Sequence, residues 1–300
     1  MSTRAYQFSP LVCGVTALVV TTAISIPLGP AAAAARQGTV PKQLLVTLHV
    51  TDKHDVPFTD LTASELGVKE NGQSRPILNA ELDRRALAVA LVLDNNSELS
   101  TSFMQSVVPA GVATIKALPP GTTIDIWTSG DRPTHVAKAV SDPAAAEASL
   151  KGVAASGTNT LLNTIADASK ALPSDEDHRT AVIVLTSGSL GDVGGYGVEQ
   201  ALKVTSMRPT FMSLEVVVGH ADARVENMLE YLAKNSAGSF EKVLVVTALE
   251  KRAPALVALI NAQYRVAWLP GADPRETKFD FTCTRKGTKV VAAQRMSAVW

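Results

Sequence analysis

The sequence predicts an α/β fold: a doubly wound, mostly parallel, Rossmann-like sheet joined to a small β domain made from the N- and C-terminal flanks. Three observations predict it. Ala86 to Leu93 is continuously apolar, as a parallel strand covered on both faces must be. From there apolar strand runs alternate with stretches of helical period. On either side of this region the chain returns to apolar/polar alternation, the pattern of half-buried strands.

The first residues read as a secretory signal. Met1 to Pro10 carries Arg4 and no acid, Leu11 to Leu28 is almost wholly apolar, and Pro27, Gly29, Pro30 and the Ala31 to Ala35 tract follow. Small residues in that tract suit signal peptidase, which places cleavage between Ala33 and Arg36. The alternative is an uncleaved anchor, since a run of about 18 apolar residues just spans a bilayer. Membrane contact is expected only in that case. Cys13 lies inside the run and leaves with the signal, so Cys283 is the single mature cysteine and no intramolecular disulfide forms.

Lys plus Arg and Asp plus Glu are equal at 28 each. No net field draws the chain to nucleic acid or to an anionic membrane. The chain divides into a signal (1–36), a linker (37–43), an N-terminal β segment (44–85), the α/β domain (86–261) and a C-terminal β segment (262–300) that pairs with the N-terminal one.

Leu44, Val46, Leu48 and Val50 alternate with Leu45, Thr47, His49 and Thr51. The first set faces a core, and His49 falls on the wetter side. A turn is expected at Asp52 to Pro57, then a hairpin at Asn71-Gly72, because Asn-Gly supplies the two positive φ angles of a tight turn. After Ala86 to Leu93, buried strands are read at Thr123 to Thr128, Thr180 to Thr186 and Met212 to Val218, with a shorter one at His135 to Val140. Between them Phe103, Val107, Gly111, Ile115 and Leu118 share a helical face, as do Leu162, Ile165 and Ala168, then Val225, Leu229 and Leu232. Pro109 should kink or shorten the first helix. After a helix at Leu249 to Ile260, strands return at Tyr264 to Leu269, at Phe279 to Cys283 with the thiol buried, and at Lys289 to Ala293.

In open α/β sheets ligands sit beyond the carboxyl ends of the strands, near the switch point. The residues there read Asp94-Asn95-Asn96-Ser97-Glu98, then Ser156-Gly157-Thr158-Asn159-Thr160, then Thr186-Ser187-Gly188. In content and order these stretches resemble the von Willebrand factor type A (VWA) family. Its first strand ends in Asp-x-Ser-x-Ser, a later loop supplies Gly-Thr, and another strand ends in Thr-Asp-Gly. The resemblance extends to a bacterial, exported subgroup with β segments on both flanks. Val50-Thr51-Asp52, Pro57, Leu61-Thr62 and Val68-Lys69-Glu70-Asn71-Gly72 match it, as do Leu232-Ala233 with Gly238, and Tyr264-Arg265-Val266. It covers about residues 44 to 295.

The resemblance implies a metal-ion-dependent adhesion site for magnesium or manganese, with an open position for a ligand carboxylate. Here Asp94 and Thr158 match, whereas Asn96 and Glu98 replace both serines and Ser187 replaces the second acid. Magnesium demands near-ideal octahedral oxygens, so the expectation is a degenerate site. Asp94, Asn96, Glu98, Thr158 and Ser187 form the ligand-binding face, and Asp94, Glu98 and Thr158 are the ligands if a metal binds. On the alternative reading Asp94 and Thr158 cap the following helices.

No catalytic residues are expected. Ser187-Gly188-Ser189-Leu190-Gly191 approaches a nucleophile elbow but lacks its first glycine, and only His220 follows as a base. The loop Gly191 to Gly197 lacks the Lys-Ser/Thr of a phosphate loop. The five histidines have no metal-ligand spacing, and Asp175-Glu176-Asp177 reads as a solvated turn. The function expected is a non-catalytic module that binds an extracytoplasmic protein or surface ligand, secreted or periplasmic. A structural subunit of an envelope assembly is the alternative, and a serine hydrolase the remote one.

Overall fold

A computed structural model describes residues 42–97, 99, 101–188, 209–216, 222–271, 277–294 and 296–299. The signal reading and the notional elbow at Ser189 lie outside these residues. Among the described residues no helix is long and apolar enough to cross a membrane.

The first described element is β1 (Gln43–Thr51), with Leu44, Val46, Leu48 and Val50 all buried. Asp52 then shapes the turn, its Oδ1 accepting the amides of His54 and Val56. β2 (Leu66–Glu70) and β3 (Gln73–Arg75) form the expected hairpin. Asn71 and Gly72 between them have φ of 49° and 82°, the left-handed pair that a two-residue turn matching strand twist requires. β4 (Ile77–Leu82) leads to β5 (Ala86–Leu93).

The central region runs α1 (Thr101–Ala117), β6 (Thr123–Thr128), β7 (Thr134–Val140), α2 (Pro143–Leu150), α3 (Leu161–Ala171), β8 (His178–Thr186), β9 (Thr210–Val216), α4 (Ala223–Asn235), β10 (Ser239–Val243) and α5 (Ala248–Asn261). Its strands lie in the order β10-β9-β8-β5-β6-β7, all parallel except β7. The chain leaves β5 toward β6 on one side and returns through β8 on the other. The switch point is therefore the junction of β5 and β8, where ligands gather in open sheets.

Alternation along the strands divides the core into two layers. Leu91, Leu93, Ile183 and Leu214 pack on α1, α2 and α5, and Val92, Val184 and Phe211 pack on α3 and α4. Covering both faces is what requires β5 and β8 to be apolar at successive positions.

The remaining strands are β11 (Tyr264–Trp268), β12 (Phe279–Cys283), β13 (Lys289–Ala292) and β14 (Ser297–Val299). A flank sheet takes the order β13-β1-β11-β4, with β14 also on β1, and a smaller sheet takes β12-β2-β3. Both join strands from before and after the central region antiparallel. They enclose a third core around Trp268, Tyr264 and Val266. Glu70 is buried there because its carboxylate accepts three donors: Trp268 Nε1 at 3.0 Å, Gly271 N at 2.8 Å and Arg75 Nε at 2.7 Å. A buried charge is tolerated only when matched in this way.

The structure corrects the sequence reading at several points. His49 is buried, not wet, because the Ala237 turn packs on that face of β1 and its carbonyl lies 3.1 Å from Nδ1. Burial lowers the imidazole to about 4. α1 is not shortened at Pro109, since Phe103, Val107, Ala110 and Ile115 anchor it on both sides of the proline. Cys283 is half-buried. β7 is an antiparallel edge strand and largely uncovered. α2 and β10 are elements the sequence pattern did not reveal.

Candidate functional site

Register sets five side chains in one row at the carboxyl ends of the central strands. Leu93 is paired with both Thr128 and Leu185, so the next residues Asp94, Ser129 and Thr186 stand abreast. Thr186 is paired with Glu215, and Glu215 with Lys242. Because residues two apart share a face, the row Ser129-Asp94-Thr186-Glu215-Lys242 continues the layer of Val92, Val184 and Phe211 toward α3 and α4.

Asp94 is the centre of the row and has no solvent-exposed surface. Its Oδ1 accepts Asn96 Nδ2 at 3.0 Å and Ser129 Oγ at 3.1 Å, and its Oδ2 accepts Thr186 Oγ1 at 2.8 Å. Burial pushes the carboxyl up, against these three hydrogen bonds. The Thr186 hydroxyl, already donating to Asp94, accepts the Gly188 amide at 3.0 Å.

Glu215 is as deeply buried, yet neither carboxyl oxygen has a hydrogen-bond partner. Lys242, its neighbour in the row, is paired with Glu226 of α4 instead. Burial, then the Glu226 charge, pushes the Glu215 carboxyl up to about 7, with Lys242 opposing. Gly188 closes over it with φ of 63°, and a Cβ there would stand 2.4 Å from Glu215 Oε1.

Three loops interlock above the row. Asn95 Nδ2 donates to Ala154 O at 2.8 Å, Ser156 N to Asn95 O at 2.8 Å, and Ser97 N to Gly157 O at 2.9 Å. Gly157, with φ of 55°, lies so near Asp131 that a Cβ would approach its Cβ to 2.3 Å. A side chain at that position would force the loops apart.

Of the residues expected at the site, Asn96 and Asp94 are hydrogen-bonded to each other, and Asp94, Asn96 and Ser187 are all buried, with exposures of 0%, 0% and 2%. Thr158 is exposed on the rim. Glu98, His220 and the Gly191 to Gly197 loop lie outside the described residues. Asp94 does not cap α1, which begins seven positions later at Thr101. Nor does Thr158 cap α3: Asn159 Oδ1 accepts the Leu161 amide at 2.8 Å. Sequence reasoning missed Ser129 and Glu215. The available signal was a polar residue closing or interrupting an apolar strand run, as in Ile126-Trp127-Thr128-Ser129 and Leu214-Glu215-Val216.

No protein-family model matches the chain, and no curated protein matches it in sequence. Solved structures do match. A von Willebrand factor type A protein from Catenulispora acidiphila superposes with a TM-score of 0.54 at 11% identity, over 86% of this chain and 75% of that one. Proximal thread matrix protein 1 from the mussel byssus, in a form with a zinc occupied MIDAS motif, gives 0.51 at 18% identity over 63% of this chain. The match spans about half of that protein, 49% of its length. At such identities the likeness is one of fold.

Proposed function

From the von Willebrand factor type A fold that this chain adopts, we propose an exported, non-catalytic module that binds a protein or surface ligand outside the cytoplasm through its loop-bearing face, without a metal ion. The observation that carries this reading is the hydrogen-bonded carboxylate of Asp94. Three side-chain donors engage both of its oxygens, so the loops are held by hydrogen bonds where an intact family site would use an ion.

The described residues do not fit magnesium or manganese. Divalent cations of this kind want several hard oxygens with open lone pairs. Asn96 turns an N–H toward Asp94, and the acid expected at 187 is a serine. The zinc recorded in the mussel protein belongs to a chain with that motif occupied.

Contact with the partner falls to the rim that carries Thr158, because Asp94, Asn96 and Ser187 are covered. Export rests on the Arg4 and Leu11 to Leu28 pattern. The non-catalytic reading rests on the sequence, where the stretch Ser187 to Gly191 lacks the first glycine of a nucleophile elbow.

Calorimetric and thermal titration with magnesium and manganese tests the metal-free reading. The melting temperature of wild type should respond neither to these ions nor to chelator, because a ligand that binds only the native state must stabilise it. The triple variant Asn96→Ser, Glu98→Ser, Ser187→Asp should acquire such a response. Tight binding by wild type would refute the reading. For the rim, an envelope-fraction partner retained by wild type should be lost by Thr158→Arg. A mature chain that cannot fold alone would favour a structural subunit instead.

A further inference from the structure

At the opposite end of the central sheet lies a cleft of about 500 Å³, between the amino ends of β5, β8 and β9 and the outer face of the flank sheet. This volume falls in the range of small-molecule sites, roughly 300 to 1,000 Å³. Its floor is a row set by register, Thr47 beside Arg265 beside Glu81. Its facing wall is Arg85, His178 and Arg179, where the parallel strands begin.

The charges in the cleft are unevenly matched. Asp83 is taken by Arg85, through Nε at 2.9 Å and Nη2 at 2.6 Å, and Asp175 by His178 at 2.6 Å. Arg179 donates only to neutral acceptors: Arg85 O at 3.2 Å, Ile260 O at 2.9 Å and Asn261 Oδ1 at 3.3 Å. Arg265 has a buried Nε–H with no acceptor. Its one acidic contact among the described residues is the largely exposed Glu81, at a loose 3.9 Å from Nη1. Among the described residues, these two guanidinium groups line one cleft without a carboxylate at hydrogen-bonding distance.

We propose that this cleft binds a small ligand bearing an oxyanion, a carboxylate or a phosphate, held by Arg265 and Arg179. Guanidinium forks match both groups in geometry, and such charge-assisted hydrogen bonds are about twice as strong as neutral ones. Burial depresses the Arg179 guanidinium; Asp83 counters this and Arg85 adds to it. The remaining acids, Glu81 and Glu176, are exposed and limit affinity rather than forbid entry. The site is independent of the loop-bearing face.

The test is calorimetric titration of the mature chain with inorganic phosphate and, separately, citrate, at low ionic strength. Saturable binding of either anion in the millimolar range or tighter is expected, and the preferred one identifies the ligand chemistry. Arg265→Met should weaken it about tenfold, the loss of one charge-assisted contact. Glu81→Gln should tighten it by removing the competing carboxylate, an effect that mere structural damage does not produce. Absence of binding by both anions, or wild-type affinity in Arg265→Met, overturns the proposal. If Arg265→Met fails to fold, unchanged affinity in Glu81→Gln overturns it alone.

Discussion

Replacing Glu215 by Gln keeps the shape of the buried side chain and removes its proton equilibrium. In the fold the carboxyl is pushed up to about 7 by burial and by Glu226, from an ordinary 4.5. Between those values the folded chain holds a proton that the unfolded chain has released. Stability therefore declines as pH rises from about 4.5 to about 7 and is level above. The shift of about 2.5 pH units corresponds to about 3 kcal/mol at most, or roughly 6 to 12 °C in melting temperature for a domain of this size. Thermal or urea unfolding of both proteins at intervals from pH 4.5 to 8 reads it directly. Subtracting the two curves cancels every other titrating group, and the stability difference, wild type minus variant, should fall by that amount as pH rises. A difference that stays constant across the range would refute the reasoning and mean that Glu215 has a partner or water in solution.

His49 acts in the opposite sense on the acid side. Its imidazole is lowered to about 4, so stability rises with pH from about 4 to 6.5, by about 3 kcal/mol at most, and His49→Gln should flatten that limb in urea melts. Gly188→Ala places a methyl group at positive φ against Glu215 and should cost about 2 kcal/mol or more; a cycle with Glu215→Ala should recover the part due to the clash. Glu70→Ala strands the Trp268 indole and the Arg75 guanidinium and should destabilise by about 3 to 5 kcal/mol in denaturant. Mass spectrometry of exported protein should find a first residue between Ala33 and Gly38.

The central strands were legible because burial on both faces leaves no polar position in Ala86 to Leu93. β10 was not, since a half-covered edge strand reading Ser-Phe-Glu-Lys-Val gives neither an apolar run nor clean alternation. α2 carried its signal in Asp142-Pro143, where Asp142 Oδ1 accepts the Ala144 amide at 3.0 Å, but its alanines offered little apolar contrast. His49 defeated pattern reading for another reason: what covers it is 188 positions away. The loop cluster was legible as three stretches in order. Its internal chemistry was not, because Ser129, Asp94, Thr186 and Glu215 become neighbours only once the register of four strands is known.

The antiparallel pairing of β1 with β14 has a mechanical consequence. Gln43 lies opposite Val299, Leu44 opposite Ala298 and Leu45 opposite Ser297, so the two ends of the described fold meet side by side. Tension applied at Gln43 and Val299 would open this ladder like a zip, breaking one rung of hydrogen bonds at a time. Parallel strands pulled along their length would instead have to shear many bonds at once. Force entering at those two residues is thus spent first on β14, before it reaches the bridge between Ala293 and Ser236 at the end of α4.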